Sequence, residues 1–198
     1  MKKGITIVFT LLLTTLVFAL IPTDAEARIY NDTLRLHILA NSDSTEDQEL
    51  KIKIRDKLLL EYGEVLSKGE NIGEAVGIMR ELLPRLEAEV KCWTKEFGYD
   101  YSCTATLTEE WYDTRVYEDY SLPAGYYTSL RIFIGEGEGK NWWCVMYPPL
   151  CTSLATEASP PDDSFIDYTK EELKLIKSGG YRFKFKSLEL LSSLFSKK

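Results

Sequence analysis

The chain has 198 residues, a formal net charge of −7 and 44% hydrophobic residues, enough apolar material for one folded core. The acidic balance argues against nucleic acid or anionic lipid as a partner drawn by overall charge, and leaves protein partners or a neutral ligand. There is one histidine, no Cys-x-x-Cys and no His-Glu-x-x-His, so the usual zinc patterns are absent and no metal or cofactor is expected.

Lys2 and Lys3 precede an apolar run, Ile5 to Ile21, interrupted only by threonines. Pro22 ends the run, and Ala25-Glu26-Ala27 is a small-residue peptidase site. Residues 1–27 therefore read as an export signal, with a retained anchor helix as the alternative. Losing Lys2, Lys3, Asp24 and Glu26 leaves the net charge unchanged. The four cysteines, Cys92, Cys103, Cys144 and Cys151, would then face an oxidising compartment, where three connectivities are open. Proximity in sequence favours Cys92–Cys103 and Cys144–Cys151.

Leu34, Leu36, Ile38 and Ala40 alternate with Arg35, His37 and Asn41, which predicts a strand. The turn residues Asn41-Ser42-Asp43-Ser44 follow. Ser44 or Thr45 caps a helix over 45–67, with Asp47 or Gln48 as the capping-box partner. Leu50, Ile54, Leu58, Tyr62 and Val65 form its apolar face, and Lys51, Lys53, Arg55 and Lys57 are expected on the surface. Asn71 and Glu74 cap a second helix whose Ile72, Val76, Met79, Leu83, Leu86, Val90, Trp93 and Phe97 step by four and three. That face is expected to pack in the core against the first helix, the short connection making the pair antiparallel, with a coiled-coil seam for a partner as the alternative. Pro84 is expected to kink the second helix, and Gly98 to end it.

Strands are expected from Tyr101 to Leu107, from Thr114 to Tyr120, from Tyr127 to Ile134 and from Trp142 to Tyr147, with a turn at Pro123-Ala124-Gly125. The fold class is α+β: an antiparallel helix pair packed on a mostly antiparallel β-sheet. The organisation is a signal over 1–27, a domain over 28–151, a Ser, Thr, Pro and Asp-rich linker over 152–170, and a tail over 171–198. The tail either adds a strand and helix to the domain or forms an amphipathic, locally basic segment that touches a membrane or partner.

Catalytic machinery is sparse. Any histidine-dependent site must use His37, and a Cys144/His37 pair would make the chain an exported cysteine-dependent hydrolase. The competing reading puts Cys144 in a disulfide, which cannot attack. Gly135-Glu136-Gly137-Glu138-Gly139-Lys140 lacks phosphate-loop spacing and reads as a flexible turn. The stretch from Asn141 to Cys151 is dense in aromatics and prolines. On a strand Trp142 and Trp143 face opposite sides, so one can enter the core while the other stays available for binding; the alternative is two core tryptophans flanking a disulfide-closed corner.

The stretches Arg35-Leu36-His37-Ile38-Leu39-Ala40-Asn41-Ser42-Asp43-Ser44, Asp47-Gln48, Arg55-Asp56, Leu122-Pro123-Ala124-Gly125, Leu130-Arg131, Ile134-Gly135 and Gly137 lead up to Gly139 through Asn141-Trp142-Trp143-Cys144 and Pro148-Pro149-Leu150-Cys151. Together they resemble the stage II sporulation protein R family over residues 34–151. The pair Cys92/Cys103 lies outside that pattern. The resemblance implies a non-enzymatic signal, secreted from the forespore into the space facing the mother cell. There it would activate a membrane-embedded aspartic protease that processes pro-sigma-E. It places partner contacts on Arg35, Asn41, Ser42 and Asp43, and on Asn141, Trp142, Trp143, Pro148 and Pro149, with Cys144–Cys151 holding the second patch in shape.

Overall fold

A computed structural model describes residues 2–20, 24–66, 69–117, 120–150 and 168–178. The chain divides into two compact units, one of residues 1–29, 111–125 and 170–198, the other of residues 30–110 and 126–169. Helices α1 (Lys2–Leu20) and α2 (Asp24–Asn31) open the chain. α1 exposes Ile5, Val8, Phe9 and Leu12, and no helix among the described residues is long and apolar enough to cross a membrane. The Ala25-Glu26-Ala27 segment lies within α2.

The second unit carries the sheet. β1 (Leu34–Leu39) leads into α3 (Thr45–Leu66) and α4 (Ile72–Glu96), then β2 (Cys103–Tyr112), β5 (Gly125–Ile134) and β6 (Asn141–Tyr147). The strand order is β2-β5-β1-β6, which makes β6 an edge among the described residues. β1 pairs in parallel with β5 and antiparallel with β6. The sheet is thus mixed, and the expected α+β fold class holds.

One sheet face packs on the helix pair. Leu34, Leu36, Ile38, Leu130, Ile132 and Ile134 share a core with Leu50, Ile54 and Leu58 of α3 and Met79, Leu86 and Val90 of α4. Each such side chain contributes about 1.5–3 kcal/mol when fully buried. Both helices start where their caps place them. The Asp47 amide donates to Ser44 Oγ at 3.2 Å, and the Glu74 amide to Asn71 Oδ1 at 3.1 Å. The Glu74 carboxylate reaches back to the Glu70 amide at 2.9 Å rather than to the cap residue itself. Pro84 lies on an exposed side of α4 and does not end it.

In the first unit the predicted strand over 114–120 is two short strands, β3 (Arg115–Val116) and β4 (Ser121–Leu122), paired antiparallel. The sequence reading missed a helix, α5 (Lys170–Ser178). Its signal was present: Glu171 and Glu172 in the first turn and Lys177 in the last complement the helix dipole. Arg28 Nε donates to the buried Glu172 carboxylate at 2.6 Å. Most of the expected linker, its residues 152–167, and the tail beyond 178 lie outside the described residues.

Candidate functional site

Two patches about 100 residues apart in sequence form one surface. The register pairs Leu39 with Asn141 and Ile38 with Trp142, so the end of β1 lies beside the start of β6. The turn after β1 grips the loop before β6. Asn41 Oδ1 accepts the Glu136 amide at 3.1 Å, Asp43 Oδ1 accepts the Lys140 amide at 2.7 Å, and the Gly139 amide donates to the Ala40 carbonyl at 2.9 Å. The glycine-rich loop is therefore a packed joint rather than a merely flexible turn. Gly135 has φ of +60° and a Cβ there would meet Asn41 Oδ1 at 2.2 Å.

Asp47 is the hub beneath this joint. It is buried, and accepts Asn41 Nδ2 at 2.8 Å and Ser42 Oγ at 2.6 Å, with the Tyr101 hydroxyl also bonded to it. Burial pushes the Asp47 carboxyl up, but the donors from Ser42, Asn41, Tyr101 and Ser44 outweigh it and hold the pKa below the usual range.

The two tryptophans do face opposite sides. Trp142 packs on the helix-side core with Arg55 over its ring, Cζ 4.0 Å from the centroid. Trp143 stacks on His37 across the other face, centroids 3.6 Å apart. Both are half-buried and Asn141 is exposed. At the far end of β6, Pro148 is buried and Pro149 half-buried, and the Tyr147–Pro148 peptide is cis. Arg35 sits apart from this surface. It is wholly buried on the central strand, its Cζ 5.0 Å from the Tyr127 centroid.

His37 is 2% exposed, with Nδ1 3.0 Å from both Glu110 oxygens, and Arg131 Nε lies 3.4 Å from the same carboxylate. Burial raises the Glu110 pKa, but His37 and Arg131 outweigh it, and the carboxyl stays below its ordinary value. Cys144 is not part of this cluster. It belongs to the helix-side core opposite Leu36, while His37 pairs with Trp143. Alternation along the strands puts Cys144 and His37 on opposite faces of the sheet, so the sequence-derived dyad is not assembled.

Two further sequence expectations are corrected. Cys92 and Cys103 do not pair; both are free thiols. Cys92 points outward from α4 with Sγ 3.8 Å from Glu96, while Cys103 faces the core, 3.3 Å from Thr94 Oγ1. Cys144 is disulfide-bonded, and Cys151 lies outside the described residues. Thiol titration of the unfolded, unreduced chain is expected to find two reactive cysteines. In the folded chain Cys92 alone should react quickly, because burial raises the Cys103 pKa. The second correction concerns Lys51 and Arg55, expected on the surface. They are 4% and 1% exposed. Their spacing of four residues puts both on one helix face, a signal the sequence did carry.

An α+β domain with an aromatic edge strand, braced at one end by a polar turn, is the class that this fold and surface define. The chain belongs to the stage II sporulation protein R family, whose model matches residues 30–157. It is similar to the stage II sporulation protein R of Bacillus subtilis (strain 168), 38% identical over 123 residues, which is 62% of this chain. That match covers 55% of the relative's own length. No solved structure matches the chain. Family membership gives the protein a role in sporulation.

Proposed function

We propose that the protein is a secreted, non-enzymatic sporulation signal. It is exported from the forespore into the space facing the mother cell, where it activates a membrane-embedded aspartic protease that processes pro-sigma-E. The observation that carries this reading is the joint at the start of β6, where the Asn41, Ser42 and Asp43 turn is hydrogen-bonded to the loop that leads into Asn141, Trp142 and Trp143, the two tryptophans on opposite faces of the strand. Aromatic side chains on a rigid strand are suited to a protein contact. The lysines and exposed apolar side chains of α1 support export. A Cys144–Cys151 bond would close the end of β6, where the cysteines are close enough in sequence for its role to be local geometry. Arg35 would act from inside, by setting the shape of the central strand.

The test is co-expression with the candidate protease and pro-sigma factor in a host that does not sporulate. Processing is expected only when the exported chain is present. Trp143→Ala is expected to cut processing about tenfold or more, the scale of a central aromatic contact, with the protein still exported and folded. Undiminished processing by that variant would remove the surface assignment. No processing with the wild type would remove the activator reading.

A further inference from the structure

Two cations are buried one turn apart on α3. Lys51 has its partners: Nζ donates to Gln48 Oε1 at 2.5 Å and to the Lys140 carbonyl at 2.7 Å. Arg55 does not. Its Nε donates to Asp56 Oδ1 at 2.9 Å, but Nη1 and Nη2 are buried with no hydrogen-bond partner among the described residues. The indole Nε1 of Trp142, whose ring stacks on that guanidinium, is buried and also lacks a partner among the described residues. Burial lowers the pKa of both cations, and Arg55 lowers that of Lys51 further. Three buried donor nitrogens thus sit on one stacked pair of side chains with their desolvation uncompensated, which a folded chain otherwise avoids.

We infer that Arg55 and Trp142 form a binding site for the carboxylate of an Asp or Glu side chain on an extended segment of a partner protein. The planar guanidinium fork matches two carboxylate oxygens, and the indole N–H supplies a third donor. Charge agrees. Lys51 and Arg55 together with Asp56 leave one positive charge, which one carboxylate neutralises, whereas a phosphate ester brings nearly two negative charges. The position of Trp142 argues for a polypeptide. It lies on β6, the edge strand among the described residues, so a segment paired there places the residue opposite Trp142 on the α3 side, where Arg55 waits. The half-buried Trp142 ring roofs the guanidinium and must swing as the carboxylate enters.

The site is tested by binding, independently of protease activation. The probes are a short peptide of alternating valine and threonine with one central glutamate, its glutamine twin, sodium acetate and inorganic phosphate. The readout on the full chain is the Trp142 indole N–H resonance, assigned with Trp142→Phe. The glutamate peptide is expected to bind about tenfold tighter than its twin, the scale of a charge-assisted contact. Arg55→Lys, which keeps the charge and loses the fork, should abolish most of that preference, and Arg55→Gln all of it. Equal binding of the two peptides, or no shift at millimolar peptide, overturns the site. Acetate as effective as the peptide overturns the polypeptide source, and phosphate stronger than acetate overturns the carboxylate class.

Discussion

Gly139→Ala is expected to destabilise the sheet-bearing unit by about 3 kcal/mol, the upper end of what overpacking costs. For a chain of this size that lowers the melting temperature by about 6–12 °C. A Cβ at Gly139 would sit 2.2 Å from the Ser42 carbonyl oxygen and 2.6 Å from its carbon. Both are backbone atoms, so no rotamer change relieves the clash. The loop or the turn must move, and the Gly139–Ala40 hydrogen bond at 2.9 Å goes with it. Gly77→Ala is the control. Nothing lies within 4 Å of its Cβ position inside α4, and alanine there should gain roughly 0.5–1 kcal/mol. Urea melts of the two variants should therefore move in opposite directions. A neutral Gly139→Ala would mean that the loop does not bear on the turn.

Much of the sheet-and-helix frame was legible because it rests on local rules. The alternation through Leu34, Leu36 and Ile38 and the steps through Met79, Leu86 and Val90 each mark a core face, and the capping residues Ser44 and Asn71 mark where helices begin. The parallel pairing of β1 with β5 was not legible. Both strands bury alternate apolar residues, and nothing within either says which runs beside which or in what direction. Cys92 and Cys103 misled for a related reason. Nearness in sequence does not bring thiols together when one points out from a helix and the other enters the core from a strand.

The surface was half legible. Residue type marked Asn141, Trp142 and Trp143, and their opposed faces followed from strand geometry. That the Asn41–Asp43 turn would dock on the Gly135–Lys140 loop depends on the β1–β6 register, which only the fold supplies. Arg55 shows the limit most sharply. On the helix it looked like one of several solvent-facing basic residues, whereas in the fold it is buried, with Trp142 from a strand far along the chain stacked on its guanidinium. Arg35 is the converse. It sits on a strand whose six residues are all buried, so its alternation with leucines reflects a sheet covered on both faces rather than one open to water.

The joint also predicts how the protein responds to acid. Asp47→Ala leaves the donors of Asn41, Ser42 and Tyr101 without their acceptor and is expected to cost about 3 kcal/mol at pH 7. Asp47→Asn, which keeps shape but not charge, should cost about 2 kcal/mol. The sign of the pH dependence follows from the lowered pKa. The folded chain holds the Asp47 proton more weakly than the unfolded chain, whose reference value is 3.8. The stabilisation is therefore complete above that value and is lost as the pH falls through the lower folded value. The stability gap between wild type and Asp47→Asn should accordingly narrow in acid, in urea melts run from pH 7 down to about pH 2. A gap independent of pH would show that the donors need an acceptor of this shape but not its charge. Because Asp47 holds Asn41 and Ser42 against the loop that launches β6, the same titration should shift the signals of Trp142 and Trp143, linking the buried carboxylate to the surface proposed for the partner.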